Sequence, residues 1–541
     1  MDAKKRRTWW LASKRLQFGA LVCLLDSQGS PIFCSVSDTG LMVDESAAHQ
    51  RTAAPSPSNI FENPHWAFVT LSLVELNQGT VHRLLSGFVT GHGRGYEMLI
   101  EFPGVLLPSF EPTLKALQRF SQSAGDLPFA ELLAPVSENP QNLHQMDPPA
   151  YCLQRSFQFD LSCLLTDGAA LSLVPGGPFD MQTLLQHSSL DEAQASSLVA
   201  ALSRKFALIQ GPPGTGKSYT GIAIIKVLLA TRSKAQLGPI ICVCNTNHAL
   251  DQLLEHLVDH GVKQVIRIGS RSKSEVLGKL NLKIVARELE QTKTEKRAWW
   301  ESKNEMEKLL KSANKLLQEY SQAETPESIK LYLEINNRAQ CMELFVGELV
   351  DEDGFQEIHR RSRKPLQDWL NHGYSGTRRE HRKTRSLDEL QRSSLRSMIY
   401  AERKSIYKHW VQNIRSRLKG QIEIALHQYL ETRNRSNKVR REVELRCLQQ
   451  ADVVGVTISG LARVMDLLER LNSKVLVIEE AAEVLEAHNI ASFPPSVQHA
   501  ILIGDHLQLR PQIQNFALSS ENARGKQFSL DVSLFEDWWH H

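Results

Sequence analysis

The sequence predicts an α/β fold in which a parallel β-sheet is covered on both faces by helices. Short apolar runs recur in the second part of the chain, and segments with helical periodicity separate them, as is typical of strands buried in a parallel sheet. These runs are 206–210, 240–244, 453–457, 475–478 and 500–503. A glycine-rich turn follows the first run directly and leads into a helical pattern. A strand, a glycine turn and a helix in this order fit the same α/β pattern.

The composition is typical of a globular protein with several hydrophobic cores. Hydrophobic residues make up 42% and charged residues 23% of the 541 residues. The formal net charge of +3 does not indicate a nucleic-acid binder, so any basic surface must be local. The 8 cysteines form no CxxC pair, which argues against zinc ribbons and zinc fingers. No apolar run approaches the roughly 20 residues of a transmembrane helix, so we expect no membrane-spanning segment.

The N-terminus gives the only local hint about the compartment. The basic cluster at 4–7 is not followed by an apolar core of signal-peptide length. Scattered cysteines also suit a reducing compartment, so we expect a cytoplasmic protein. The same cluster could be a nuclear address, and a solvated charged terminus is the alternative.

The chain divides into three predicted parts. Residues 1–125 contain alternating patterns such as 67–74 and predict a β-rich, barrel-like accessory domain. Residues 126–187 mix proline, serine and short apolar runs, and we interpret them as a linker or stalk. Residues 188–541 form the α/β domain, which a basic helical insertion over 271–450 interrupts.

Local patterns predict further elements within these parts. Residues 84–102 favour a hairpin with a glycine-rich turn, and a capping box at 189–192 predicts the start of a helix. The charged segment 285–322 predicts a long helix or a helical hairpin. Trp299 and Trp300 lie within it, and we interpret them as packing residues rather than as a stacking platform for bases.

The strongest chemical signal is the glycine-rich turn. Its sequence GPPGTGKS fits GxxxxGK[ST], whose glycines let backbone N–H groups wrap phosphates while the following helix adds partial positive charge. Lys217 should reach the β- and γ-phosphates, and Ser218 should place its hydroxyl on Mg²⁺. The residues that this motif predicts at the nucleotide are Gly211, Pro212, Pro213, Gly214, Thr215, Gly216, Lys217 and Ser218.

Two later strands should deliver polar residues to the same edge of the sheet. The run 475–478 ends in Glu479 and Glu480, and adjacent carboxylates repel each other unless a cation lies between them. An ordinary solvated acidic pair is the alternative. The run 500–503 ends in GDHLQLRP at 504–511. A phosphate-binding loop needs such acidic residues to hold Mg²⁺ and to orient the attacking water.

The order GPPGTGKS, EEAA, GDHLQLRP resembles the first RecA-like domain of superfamily 1B helicases. It is similar to the RNA helicases of nonsense-mediated decay. It is more similar still to a zinc-finger-bearing helicase family linked to antiviral defence and small-RNA silencing, which shares EEAAEVLEAH at 479–488 and the GDH-x-QLRP form. The resemblance covers about 188–535, and the N-terminal region by position only. It implies ATP and Mg²⁺ as cofactors, single-stranded RNA as the partner with DNA as the alternative, and room for protein partners from RNA-processing complexes.

The resemblance also assigns roles to individual residues around the nucleotide. Gln194 matches the glutamine that hydrogen-bonds adenine, although alone it would be a surface glutamine. Glu479 would hold Mg²⁺ with Ser218, Glu480 would polarise the water, and Gln508 would sense the γ-phosphate. Most family members have aspartate at the position of Glu479, so the longer side chain shifts the expected Mg²⁺ geometry.

A second group of residues matches motifs that contact the nucleic-acid backbone. Thr246 and Asn247 in TNHALD, and Thr457 in ADVVGVTISG, are the implied contacts. Alone, Thr246 and Asn247 would be a helix N-cap and nothing more. Arg267 fits the family as well, and we interpret it as structural. The arginine-rich stretch 359–385 could bind phosphates or could be a solvated face.

The sequence therefore predicts an ATP-dependent RNA helicase or translocase with an implied role in RNA surveillance, silencing or antiviral response. A DNA helicase of the same superfamily is one alternative. A non-catalytic ATP- or RNA-binding scaffold is the other, because the second RecA-like domain and its arginine fingers are expected after residue 541 and are absent from the sequence. We accordingly expect a truncated motor.

Overall fold

The computed structural model describes most of the chain. The described residues are 3–13, 15–25, 29–38, 69–75, 79–80, 83–84, 98–123, 125, 127–133, 146–166, 168–269, 272–346, 364–372, 384–513 and 515–540. They form two compact units. The first unit comprises Met1–Pro103 and Lys293–Asn437, and the second comprises Gly104–Thr292 and Lys438–His541.

Strands and helices are numbered here in chain order. The strands are β1 Ala20–Leu25, β2 Pro31–Asp38, β3 Thr70–Leu73, β4 Met98–Leu106, β5 Phe159–Asp160, β6 Ser172–Leu173, β7 Phe206–Gln210, β8 Ile240–Cys244, β9 Val265–Ile268, β10 Val453–Thr457, β11 Val475–Glu479 and β12 His499–Gly504. The helices are α1 Ala3–Ala12, α2 Leu107–Gln122, α3 Ala130–Leu133, α4 Met181–His187, α5 Glu192–Ser203, α6 Lys217–Ala235, α7 Asn247–Asp259, α8 Glu275–Lys279, α9 Leu282–Glu288, α10 Lys293–Ser321, α11 Pro326–Asn336, α12 Arg338–Cys341, α13 Pro365–Asn371, α14 Leu387–Arg392, α15 Tyr400–Gln450, α16 Ile458–Glu469, α17 Glu486–Ile490 and α18 Leu534–His540.

The second unit is built around a six-stranded sheet in the order β7-β12-β11-β8-β10-β9. Each neighbouring pair in this sheet is parallel. The parallel sheet predicted from the apolar runs is therefore confirmed. Strand β9 was not predicted, because its run has only 4 residues and carries Arg267 in the middle.

Alternate residues of each strand enter opposite cores of this unit. On β8, Ile240, Cys242 and Cys244 belong to a cluster that includes buried residues of α5, α6 and α7. Ile241 and Val243 belong to a second cluster, which includes buried residues of α16 and of the last turns of α15. Both faces of the sheet are thus covered, which explains why its strands are apolar without alternation.

The β-rich N-terminal region is confirmed as a four-stranded sheet in the order β3-β2-β1-β4. Strands β1 and β2 are antiparallel, as are β2 and β3. The predicted strand at 67–74 contains β3. The glycine-rich turn of the predicted hairpin at 84–102 lies outside the described residues.

Long helices make up most of the described part of the insertion. The predicted helix at 285–322 contains α10, which has 29 residues. The C-terminal end of the insertion belongs to α15, which has 51 residues. The stacked rings of Trp369 and Trp410, with centroids 5.7 Å apart, lie in a hydrophobic cluster of this unit. Only 364–372 and 384–385 of the arginine-rich stretch fall among the described residues.

The expected packing of the tryptophan pair on α10 is wrong. Trp299 is 48% exposed and Trp300 is 61% exposed. The buried residues of this helix are Ser302, Ala313 and Tyr320, and Trp300 lies about 160° around the helix from Ser302. Helical periodicity in a charged segment did not reveal which stripe faces the core.

The capping box before α5 differs from the prediction at 189–192. Asp191 is the N-cap, and its Oδ1 accepts a hydrogen bond from the Gln194 backbone N at 2.8 Å. The Gln194 Oε1 accepts one in return from the Asp191 backbone N at 3.2 Å. Because glutamine can replace glutamate in a capping box, the sequence offered two registers two residues apart.

Part of the predicted linker at 126–187 is core. Tyr151 is 2% exposed, and Phe159 and Leu161 are fully buried in the cluster that covers one face of the sheet. The Tyr151 hydroxyl lies 2.7 Å from Nδ1 of His499, at the start of β12. The predicted domain boundaries stay predictions, but these residues belong to the compact second unit.

None of the helices in the described part of the chain combines the length and apolarity that crossing a membrane requires.

A buried ion pair at the start of α15 gives a prediction for stability. Both carboxylate oxygens of Glu402 accept from Arg385, Nε at 3.0 Å and Nη2 at 2.8 Å, and these bonds lower the pKa of Glu402 to about 2. We expect Glu402→Ala to lower the free energy of unfolding by about 3 kcal/mol, because it leaves a partly buried guanidinium without its partner. Urea unfolding followed by circular dichroism measures this difference.

The lowered pKa fixes the pH window of this effect. The contribution of Glu402 is present above its ordinary pKa of 4.5 and is lost as the pH falls through about 2. Glu301→Ala is the control, since its pair with Arg297 is exposed and should contribute little. Equal losses in the two variants would contradict the prediction.

Candidate functional site

The glycine turn after β7 leads directly into α6. Gly214 and Gly216 have φ angles of 85° and 77°, which only glycine adopts without strain. A Cβ atom on Gly216 would lie 2.5 Å from Nε2 of Gln194, so that side chain would have to move away. The Lys217 Nζ donates to the carbonyl oxygens of Pro212, at 3.1 Å, and of Gly211. The predicted phosphate loop thus has the backbone geometry of a tight turn with its lysine folded over it.

Gln194 is engaged by the chain itself at both ends of its amide. Its Oε1 completes the capping box with Asp191, and its Nε2 donates to the Thr215 carbonyl at 3.1 Å. The glutamine therefore ties the start of α5 to the glycine turn. Its predicted contact with adenine stays a prediction.

The first acidic residue after β11 is buried and resists ionisation. Glu479 is 6% exposed, and burial, with repulsion from Glu480, raises its pKa to about 7. The nearby Ser218 hydroxyl and Lys217 ammonium act in the opposite direction. The Oε1 atom of Glu479 has no hydrogen-bond partner among the described residues. A buried carboxylate oxygen without a donor is costly unless a ligand satisfies it.

Glu480 adopts a backbone conformation that is rare for its residue type. Its φ is 56°, in the left-handed region, where a residue with a Cβ is strained by about 1–2 kcal/mol. Burial and then the charge of Glu483 raise its pKa, while His248 and the Thr246 backbone N–H lower it. The Oε2 atom is buried and has no partner among the described residues. Strained, partly desolvated carboxylates of this kind are typical of functional sites.

The end of β12 supplies a second hydrogen-bonded pair. Gln508 donates from Nε2 to Oδ2 of Asp505 at 2.6 Å, and the Leu507 backbone N donates to Oδ1 at 3.2 Å. Burial alone would raise the pKa of Asp505, but these bonds, together with Gln210 and Lys217, outweigh it, and the pKa is lowered. Asp505 is therefore a carboxylate held next to the phosphate loop.

These side chains meet at one cavity of about 280 Å³. Its lining residues are Lys217, Ser218, Ala249, Gln252, Leu253, His256, Glu479, Glu480, Ala482, Glu483, Ile503, Gly504, Asp505 and Gln508. The structure thus brings together the lysine and hydroxyl of the glycine turn, the acidic pair and the glutamine. Gln194, Thr246, Asn247 and Thr457 are not among the described residues that line it.

The residues predicted to contact the nucleic-acid backbone lie at the same edge of the sheet, next to the cavity residues. Thr457, the last residue of β10, pairs in register with Cys244, the last residue of β8. Thr246 follows two residues later as the N-cap of α7, and its Oγ1 accepts from the Ala249 backbone N at 3.1 Å. Thr457 caps α16 in the same way. Both threonines are therefore N-caps of helices that follow adjacent strands.

Gly221, on the first turns of α6, was not predicted as a site residue. A Cβ atom there would lie 3.0 Å from Cδ1 of Ile503 and 3.3 Å from Oε1 of Glu479. The glycine lets the helix approach the acidic strand end closely. The available signal was a glycine in an apolar helical pattern, which usually has a packing or functional reason.

The raised pKa of Glu479 predicts a pH-dependent weakness in the fold. Its folded form binds a proton more tightly than its unfolded form, so the destabilisation is absent below pH 4.5 and grows as the pH rises to about 7. We expect Glu479→Gln to be more stable than the parent above pH 7, by up to about 3 kcal/mol. Urea unfolding without nucleotide at several pH values tests this difference.

The matched control is Glu521→Gln, an exposed position in the same unit. The difference in free energy of unfolding between this variant and the parent should stay constant across this pH range. If Glu479→Gln follows the parent at every pH, the buried carboxylate does not oppose folding.

Comparison with known proteins agrees with this arrangement. Residues 189–515 match the sequence model of a family described as an AAA domain. Human NFX1-type zinc finger-containing protein 1 is 27% identical over 470 residues, which cover 64% of this chain and 24% of the relative. Helicase required for RNAi-mediated heterochromatin assembly 1, from Schizosaccharomyces pombe, is 26% identical over 497 residues, which cover 81% of this chain and 47% of the relative.

A shorter match extends the pattern. ATP-dependent helicase upf1 of Schizosaccharomyces pombe is 33% identical over 89 residues, 16% of this chain and 10% of the relative. The matches with the first two relatives span about a quarter and about half of the length of those proteins. Because the family match extends over more than half of the chain and its motifs lie at the expected strand ends, the chain belongs to the AAA domain family within superfamily 1 of the helicases, whose members use ATP.

Proposed function

We propose that this chain is the ATP-binding motor domain of a superfamily 1 helicase that couples ATP hydrolysis to movement on single-stranded RNA. One observation supports the nucleotide part above all others. A lysine, a hydroxyl, two adjacent carboxylates and a glutamine converge on one cavity from separate strand ends. Ligands of parallel α/β sheets bind at such carboxyl edges.

The glycine turn would bind the phosphates. The N-terminus of α6 and the backbone N–H groups of the turn offer donors and partial positive charge to an anion. Lys217 already lies over the turn through its bonds to two carbonyl oxygens, so a phosphate would replace those acceptors. Its ammonium group would then neutralise charge on the terminal phosphates.

The residues present fit a Mg²⁺ ion between the nucleotide and β11. Glu479 offers a buried oxygen that has no donor among the described residues, and Ser218 lines the same cavity with its hydroxyl. Oxygen ligands of this kind, completed by phosphates, are what Mg²⁺ prefers. When bound, the ion would screen the phosphate charge. A pKa of about 7 keeps the Glu479 carboxylate ready to ionise near a cation.

Glu480 is the group best suited to activate water. Its pKa is raised by burial, which makes the carboxylate a better proton acceptor than an exposed glutamate. One buried oxygen has no donor among the described residues, so it can accept from a water in the cavity. Gln508, whose Nε2 donates a hydrogen bond to Asp505, would sense the terminal phosphate.

Contacts with the sugar-phosphate backbone of the bound nucleic acid would come from Thr246, Asn247 and Thr457. They lie where two helix N-termini meet the edge of the sheet, a favourable place for phosphate groups. Such contacts bind without sequence preference. The choice of RNA over DNA is supported by the name of one relative, which refers to RNAi-mediated heterochromatin assembly. A role in RNA silencing is proposed on the same ground.

Two substitutions test the nucleotide site. We expect Lys217→Ala to abolish Mg²⁺-dependent ATP binding, because the phosphates lose their cation. We expect Glu480→Gln to keep ATP binding and to lower turnover by about 10²–10⁴-fold, because the base is lost. Equilibrium binding of a fluorescent ATP analogue and phosphate release, with single-stranded RNA or DNA of the same sequence, measure both effects.

Lys234→Ala is the matched control, since this exposed lysine lies near the other end of α6. Its binding and turnover should equal those of the parent. Binding without turnover in the parent chain would favour the scaffold alternative, and equal stimulation by RNA and DNA would remove the proposed preference. Undiminished ATP binding in Lys217→Ala would contradict the assignment of the phosphate loop.

A further inference from the structure

A fully buried arginine lies beneath the proposed nucleic-acid contacts. Arg267, on β9, has 0% of its surface exposed. Its guanidinium donates from Nε to Asp251 Oδ1 at 2.6 Å, from Nη1 to the Gly269 carbonyl at 3.1 Å and from Nη2 to Asn247 Oδ1 at 2.9 Å. One planar group therefore joins the start of α7 to the end of β9.

The carboxylate partner extends this network to the next segment of chain. Asp251 is 8% exposed, and its Oδ2 accepts from the Ser272 hydroxyl at 2.8 Å and from the Lys273 backbone N at 3.2 Å. Both oxygens of Asp251 are thus bonded, and the buried charge of Arg267 is compensated. A network with these bonds has a single well-defined geometry.

That geometry determines which end of the Asn247 amide faces outward. An amide has one accepting and one donating end, whereas a guanidinium can only donate. The Asn247 oxygen must therefore face Arg267, and its Nδ2 must point away from the buried guanidinium. Asn247 is a partly exposed residue, and its donating end is the one left for a ligand.

We propose that Arg267 is a positioning residue that holds the Asn247 amide so that Nδ2 donates to a phosphate oxygen of the bound strand. The inference rests on the proposed nucleic-acid contact of Asn247 and extends it to a residue that does not touch the strand. Orientation by a fixed partner matters because a freely rotating amide could equally present its oxygen, which repels phosphate.

Asn247→Asp tests the orientation directly. The new carboxylate still accepts from Arg267, but it replaces the outward donor with an acceptor that carries negative charge. We expect the affinity for a short fluorescein-labelled oligouridylate, measured by anisotropy with the full chain, to fall about tenfold or more. The melting temperature and the affinity for a fluorescent ATP analogue should stay close to those of the parent.

Gln264→Glu is the matched control. It makes the same amide-to-carboxylate change at an exposed position just before β9, at the opposite end of that strand from the network. Its RNA affinity should equal that of the parent. An equal loss in this variant would mean that added charge alone weakens binding, and the proposal would be wrong.

Arg267→Lys tests the positioning role. A lysine keeps the charge beside Asp251, but it cannot bond Asp251, Gly269 and Asn247 in one plane. We expect weaker RNA binding at unchanged nucleotide affinity, which a merely structural role would not produce. Full RNA affinity in Asn247→Asp or in Arg267→Lys would overturn this inference and would leave the proposed function untouched. Failure of the parent chain to bind RNA or DNA would overturn the proposed strand contact and this inference with it.

Discussion

The arrangement of the site depends on the parallel register of five neighbouring strands. Gln210 pairs with Gly504, Glu479 pairs with both Ile503 and Cys244, and Cys244 pairs with Thr457. Strands that end in one row deliver their following loops to one edge of the sheet. The glycine turn, the acidic pair and the threonine-capped helices are therefore neighbours, although up to about 270 residues separate them along the chain. Removing this register would scatter every functional group discussed above.

Much of this edge could be predicted from the sequence because its signals are local. Apolar runs mark buried strands, and the glycine spacing around Lys217 marks a phosphate loop before any contact is known. Glu479 and Glu480 follow from their place directly after such a run. The partners of these residues are different. The sequence around Gln194 allows a capping box with Asp191, but it does not show that the same amide also bonds the Thr215 carbonyl.

Contacts between distant segments explain the remaining differences. The segment around Tyr151 has too few apolar residues in a row to indicate a core, yet its hydroxyl meets His499, 348 residues away. Periodicity likewise could not assign Trp300 to solvent, since the same spacing fits either side of a helix. Arg267 was taken as structural, and it is fully buried. Its bond to Asn247, a residue proposed to contact the bound strand, could not be predicted from the sequence. The RNA preference, the roles of individual site residues and the domain boundaries remain predictions.

The acidic pair at the end of β11 also links the lifetime of the folded chain to its surroundings. Glu479 and Glu480 each have a buried oxygen with no hydrogen-bond partner among the described residues, which opposes folding. A cation that binds between them would relieve this opposition only in the folded state. By mass action, a bound ion and nucleotide would shift the balance toward the native form. The fraction of molecules open to proteolysis would then follow the supply of ligand.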